Sequence, residues 1–201
     1  MARARFEFDG TQEIGAGEKM RSWDQRLHDE GLVREGPHAG IGMHRMCELD
    51  LLSAIVNGKR MDGFVVVGCG NGAEFQNISI MVECLGIDRF PDVVIPNAEY
   101  WDRDLIVDGV FSHDVFQELL LWRSKIQGPV LFYTDNGNKV LEIKAMTGLC
   151  LPGDIIGTHD LGTEVPIDID KFLTDNGFQY LAVFDPYIDK YLCHQGFWLK
   201  Q

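Results

Sequence analysis

A short apolar run ending in three alternating glycines constrains this chain more than any other stretch. Residues 64–72 read Phe-Val-Val-Val-Gly-Cys-Gly-Asn-Gly. Four consecutive large apolar residues, three of them β-branched, predict a strand buried on both faces. The glycines that follow let the backbone turn sharply and let a ligand approach bare peptide. Such a strand belongs in an open α/β sheet, with the glycine loop as a cofactor cradle at its end.

The rest of the chain alternates in the same sense. Apolar spacing predicts helices over 44–56, 73–82, 114–125 (capped by Ser112), 138–149 and 169–175, the last with Gly177 at its C-cap. Strands are expected over 84–90, 105–111, 129–134 and 155–160, with 91–103 as a long irregular connection. Two final strands, 180–184 and 196–200, follow each other across a turn at Asp185-Pro186-Tyr187, which predicts an antiparallel hairpin on one edge. The expected fold class is α/β: a Rossmann-like, doubly wound, mostly parallel sheet of about seven strands with an antiparallel closing strand. Residues 1–37 are polar and glycine-spotted, with one short helix over 18–30 that carries Met20, Trp23 and Leu27 on one face. They read as an N-terminal arm, or as a lid or dimer contact, ahead of a domain over 38–201.

Composition narrows the classes of function. A chain of 201 residues can bury one sizeable core and is short for two. A net charge of −13 weighs against nonspecific nucleic-acid binding, which needs basic surface to displace counterions. The five cysteines are scattered without a C-x-x-C pair, as expected of small core residues in a reducing compartment. No apolar run is long enough to span a bilayer, and the first residues lack the apolar centre of a signal peptide, so a cytoplasmic location is expected.

In a doubly wound sheet, ligands bind beyond the carboxyl ends of the strands. The polar residues expected there are Gly68, Gly70 and Gly72, then Asp88, Asp108, Asp135 and the pair His159-Asp160. Asp88 follows Gly68 by twenty residues, the spacing of a carboxylate that accepts hydrogen bonds from both ribose hydroxyls. The bland alternative for Asp88 is a solvated turn residue. Asp135 and Asp160 are hard oxygen donors suited to Mg²⁺ or another divalent cation, which His159 would complete for a softer metal. His159 would otherwise serve as general base near neutral pH, as would a desolvated Lys139. The bland alternatives are a helix cap for Asp135 and a satisfied, half-buried His159.

Three segments together resemble the class I S-adenosylmethionine-dependent methyltransferases: Val-Gly-Cys-Gly-Asn-Gly at 67–72, Gly-Ile-Asp at 86–88, and Leu-Pro-Gly-Asp-Ile-Ile-Gly-Thr-His-Asp at 151–160. The likeness covers roughly residues 40–200. With Tyr-Thr-Asp-Asn-Gly-Asn-Lys at 133–139, it is nearer to the small-molecule O-methyltransferase and cephalosporin-hydroxylase-like group. The resemblance implies that Gly68, Cys69, Gly70, Asn71 and Gly72 line the methionine part of the cofactor, that Asp88 holds the ribose, and that Asp108, Val110 and Phe111 lie near adenine. The family carries Asp or Glu two residues before the first glycine; Val66 stands there in this chain, so the cofactor's amino group needs another partner.

The resulting expectation is methyl transfer from S-adenosylmethionine to a hydroxyl of a small molecule, with catalytic His159, Asp135 and Lys139 and a metal at Asp135 and Asp160. Two alternatives remain open. Gly68-x-Gly70-x-x-Ala73 also satisfies a dinucleotide fingerprint, which would make the chain an NAD(P)-dependent oxidoreductase. Val66 makes a non-catalytic nucleoside-cofactor-binding protein of the same fold the other. A small-molecule substrate is the expected partner, with neither nucleic acid nor membrane, and a homo-oligomer is left open.

Overall fold

The computed structural model describes residues 46–70, 72–75, 78, 82–89, 97–191 and 193–201. The N-terminal arm, its helix over 18–30, Asn71 and residues 90–96 fall outside that set.

The frame is a seven-stranded sheet. Its strands in chain order are β1 (Gly63–Val67), β2 (Glu83–Asp88), β3 (Ala98–Asp102), β6 (Val130–Thr134), β7 (Ile155–Thr158), β8 (Phe178–Tyr180) and β9 (Gly196–Lys200); β4 (Ile106–Val107) and β5 (Val110–Phe111) form a separate hairpin. Their order across the sheet is β3-β2-β1-β6-β7-β9-β8. The pairs among β3, β2, β1, β6 and β7 are parallel, and β9 runs antiparallel to both of its neighbours. The expected fold class is therefore the observed one, although the closing strand β9 lies inside the sheet and β8 takes the edge.

Both faces of the sheet are covered, which is why β1 needs no polar residue. Val65 and Val67 face one core with Leu85, Phe132, Ile143 and Leu119. Phe64 and Val66 face the other with Leu52, Ile55, Tyr133 and Phe197. Helices α2 (His113–Lys125), α3 (Lys139–Met146) and α4 (Ile169–Asp175) supply the first layer, and α1 (Met46–Gly58) the second. Truncating a fully buried aromatic such as Phe64 costs about 3–5 kcal/mol in such a core. At the opposite end of the sheet from the glycine loop, Asp154 accepts from Arg123 Nε and Nη2 and from the backbone N–H groups of Val130 and Leu151. That buried clamp sets the start of β6 against the turn before β7.

Several sequence expectations are corrected here. The third sheet strand is Ala98–Asp102, inside what reads as an irregular connection. The stretch read as that strand, 105–111, instead forms the β4–β5 hairpin, whose two central residues, Asp108 and Gly109, have φ of 51° and 73°. An Asp-Gly pair of this kind is a preferred two-residue hairpin turn. Of the expected helix over 73–82, Ala73–Phe75 form a 3₁₀ turn, and 76–77 and 79–81 lie outside the described residues. Asp185-Pro186-Tyr187 opens a helix, α5 (Asp185–Tyr191), because proline is tolerated in a helix's first turn. Ser112 holds the N-cap position of α2, but its side chain makes no capping bond.

Candidate active site

Four strand ends come into line at the carboxyl edge. Val67 is paired with Ile87 and Thr134, and Thr134 with Thr158. The next residue in each chain segment therefore emerges at one level: Gly68, Asp88, Asp135 and His159. Backbone bonds continue the register past the strands, with Gly68 N donating to Ile87 O at 2.8 Å, Asp135 N to Val67 O at 2.8 Å and His159 N to Thr134 O at 3.0 Å. Thr134 Oγ1 also donates to Thr158 Oγ1 at 3.0 Å, tying together the two ends that carry Asp135 and His159.

The first two glycines have different tasks. Gly68 has φ +83°, and a Cβ there would lie 2.6 Å from Asn136 N and 2.7 Å from Asp135 O, so glycine is required by the neighbouring strand end. Gly70 has φ +44° with no heavy atom within 4 Å of a Cβ position. Its N–H donates to Asp88 Oδ2 at 2.6 Å. The loop thus presents bare backbone into open space beside a half-buried carboxylate, the arrangement expected of a ribose-bearing ligand's cradle. Gly72 closes the turn by donating to Cys69 O, and Cys69 is buried, its thiol pushed up to about 12 chiefly by burial. Asp108, Val110 and Phe111 sit on the exposed β4–β5 hairpin, where the turn by itself accounts for Asp108.

Beyond β6 and β7 lies a polar cluster that the sequence only half announces. Lys139 Nζ is 2.6 Å from Glu164 Oε2, 2.8 Å from Asp160 Oδ2 and 3.4 Å from Asp135 Oδ1, with only 5% of its side chain exposed. His159 Nδ1 lies 3.2 Å from Asp135 Oδ1 and 3.1 Å from Asp160 Oδ2, while Nε2 lies 3.4 Å from Glu48 Oε1 on α1. Burial opposes the charge on His159, yet its bonds to Asp135 and Glu48 and their charges prevail and raise its pKa to about 10. Burial likewise opposes the charge on Lys139, and the bonds to Asp160 and Glu164 with the Asp135 charge outweigh it, so its pKa is raised. With no cation bound, these partners favour the protonated form of both, so neither is a ready general base in this state. Four carboxylates (Glu48, Asp135, Asp160, Glu164) against two cations leave the cluster formally short of positive charge.

Asp135, His159 and Asp160 each offer one ligand atom within 4.8 Å of the others. Two carboxylates and an imidazole are a workable donor set for a divalent cation. Asp160 is held at φ +59°, and its carbonyl accepts from the N–H groups of Thr163, Glu164 and Val165. That tight loop is what carries Glu164 back to Lys139.

Glu48 and Glu164 are the residues sequence reasoning missed. The one available signal was weak: of the two carboxylates amid Leu49, Leu51 and Leu52, Asp50 is exposed and Glu48 is buried on a helix meant for burial. Tyr133 was missed as well; its hydroxyl accepts from Gln195 Nε2 at 2.7 Å behind the cluster, and burial raises its pKa well above the usual value. Val66, in the place of the family's acid, is fully buried between α1 and the sheet.

No family model matches the chain. No curated protein matches it either. Solved structures do. Calicheamicin methyltransferase CalS11 aligns over 94% of this chain and 99% of its own at 13% identity, with a TM-score of 0.54. The fold is the Rossmann-like fold of the methyltransferases. Magnesium protoporphyrin IX methyltransferase from Synechocystis PCC 6803 aligns over 92% of this chain and 87% of its own at 11% identity, with a TM-score of 0.47. The N-methyltransferase NodS from Bradyrhizobium japonicum WM9 aligns over 76% of this chain and 92% of its own at 14% identity, with a TM-score of 0.45. Among the described residues no helix is long and apolar enough to cross a membrane.

Proposed function

We propose that this chain transfers a methyl group from S-adenosylmethionine to a hydroxyl of a small molecule, assisted by a divalent cation. The observation that carries the reading is the common level of two different sites on one sheet edge: the Gly70–Asp88 cradle and the Asp135–His159–Asp160–Lys139 cluster. When bound, the cofactor supplies an electrophilic methyl group on a sulfonium. The chain has then to align the acceptor oxygen, remove its proton and keep water away.

Gly68, Gly70 and Gly72 would pass beside the methionine portion, and Asp88 would accept from the ribose hydroxyls. Asp135, Asp160 and His159 would hold the cation, which would lower the pKa of a coordinated hydroxyl. Glu164 leaves Lys139 a carboxylate partner outside that donor set. Lys139 would present N–H hydrogens to an acceptor oxygen as it becomes anionic, with the hydroxyl proton released to solvent.

One observation weighs against the dinucleotide alternative. A pyrophosphate is itself negatively charged, so a buried carboxylate directly after the glycines opposes it. Here the loop leads into a 3₁₀ turn with Glu74 buried in it. The test is turnover of methyl-labelled S-adenosylmethionine against a panel of small polyhydroxy and phenolic compounds, with and without chelator. Label transferred to an oxygen supports the reading. NADH formation with no label transfer would favour the oxidoreductase, and cofactor binding without any turnover the non-catalytic protein.

A further inference from the structure

This inference rests on the divalent-cation reading above and concerns the identity of the ion and what selects it. We infer that His159 is the nitrogen ligand of the cation, held in place by Glu48 of α1, so that the site takes a transition-metal ion in preference to magnesium. The two ring nitrogens of His159 face different partners. Nδ1 points at the two strand-end carboxylates, 3.2 Å from Asp135 and 3.1 Å from Asp160, and Nε2 points at Glu48, 3.4 Å away. Glu48 is 3% exposed on a helix fixed by Leu51, Leu52 and Ile55, so water does not compete for its oxygen.

A ligating imidazole whose second N–H is given to a carboxylate is fixed in tautomer and ring orientation, and it becomes a stronger donor. Imidazole suits ions such as cobalt and zinc, whereas magnesium demands oxygen ligands and keeps its waters. On coordination the Nδ1 hydrogen would leave to solvent and the Nδ1 lone pair would go to the ion, while the Nε2 hydrogen would stay on the ring and be donated to Glu48. Glu48 is thus a positioning residue, and the proton on Nε2 is its signature.

The test uses Co²⁺ and Mg²⁺ alone, titrated calorimetrically into the full chain freed of metal, with proton NMR of the Co²⁺ form. The expected result is Co²⁺ binding at least about tenfold tighter than Mg²⁺, with a hyperfine-shifted imidazole N–H resonance that exchanges slowly with solvent. Glu48→Leu should lose about tenfold or more in Co²⁺ affinity, with a smaller change for Mg²⁺, and the resonance should broaden away. Glu48→Gln, whose amide oxygen still accepts the Nε2 hydrogen, should restore most of both. His159→Asn should abolish the resonance and the Co²⁺ preference while still binding Mg²⁺. Equal Co²⁺ and Mg²⁺ affinity without the resonance would overturn this inference and leave an all-oxygen cation site standing. Equal losses for both ions in Glu48→Leu would reduce Glu48 to a packing residue. No binding of either ion would defeat the divalent-cation reading itself. The resonance in the unaltered protein decides the ligand question even if a variant fails to fold.

Discussion

Gly70 N–H donates to Asp88 Oδ2 across 2.6 Å, so the glycine loop after the first strand is pinned to the carboxylate at the end of the second. The bond joins two features that lie apart in the sequence and gives each glycine substitution a different expected outcome. Gly68→Ala should destabilise the fold by about 1–3 kcal/mol, because strained backbone adds to a Cβ that meets the 135–136 peptide. Gly70→Ala should cost the fold about 1–2 kcal/mol from the left-handed backbone alone and obstruct the ligand, because the space around it is open. Urea unfolding together with ligand calorimetry separates the two effects.

His159 makes stability depend on pH. Its pKa rises from 6.5 to about 10 on folding, so its contribution is complete below pH 6.5 and is lost as pH climbs through about 10. Denaturant midpoints measured from pH 6 to 10.5 should fall across that window, and His159→Asn should flatten the slope there.

Glu142, fully buried on α3, acts over a lower window. Burial pushes its carboxyl up to about 8, partly offset by Lys139. Folding therefore favours the protonated form, and the penalty grows between pH 4.5 and about 8. Glu142→Gln should raise the denaturant midpoint at pH 8.5 and leave it nearly unchanged at pH 4.

The Arg123–Asp154 clamp is remote from the ligand edge of the sheet and should affect stability alone. Arg123→Met leaves Asp154 buried without its cation and should cost about 3–5 kcal/mol. Ligand affinity of the folded fraction should not change.

The parts of the fold that could be read in the sequence are those where one physical cause dominates. β1, β6 and β7 are buried on both faces, so each carries consecutive large apolar residues, and Gly68, Asp135 and His159 follow at their common edge. β3 was hidden because it is an edge strand: Ala-Glu-Tyr-Trp-Asp is only partly buried and carries no apolar run. The 105–111 stretch misled because its apolar residues belong to a hairpin, which the Asp108-Gly109 turn signals more strongly than the composition does. In the site, Asp135, His159 and Asp160 follow two adjacent strand ends and Lys139 opens the helix after the first of them, so the sequence alone places them near one another. Glu48 and Glu164 arrive from a distant helix and a folded-back loop, and only the tertiary structure brings them to His159 and Lys139.

The central claim is that the Gly70–Asp88 cradle holds a nucleoside cofactor carrying a methyl donor. Calorimetric titration of S-adenosylhomocysteine into the full chain and into Asp88→Ala tests it most directly. The account predicts binding to the unaltered chain, a loss of about tenfold or more in Asp88→Ala as ribose hydrogen bonds disappear, and no comparable binding of NAD. Binding of NAD in place of S-adenosylhomocysteine, or equal affinity with and without Asp88, would contradict it.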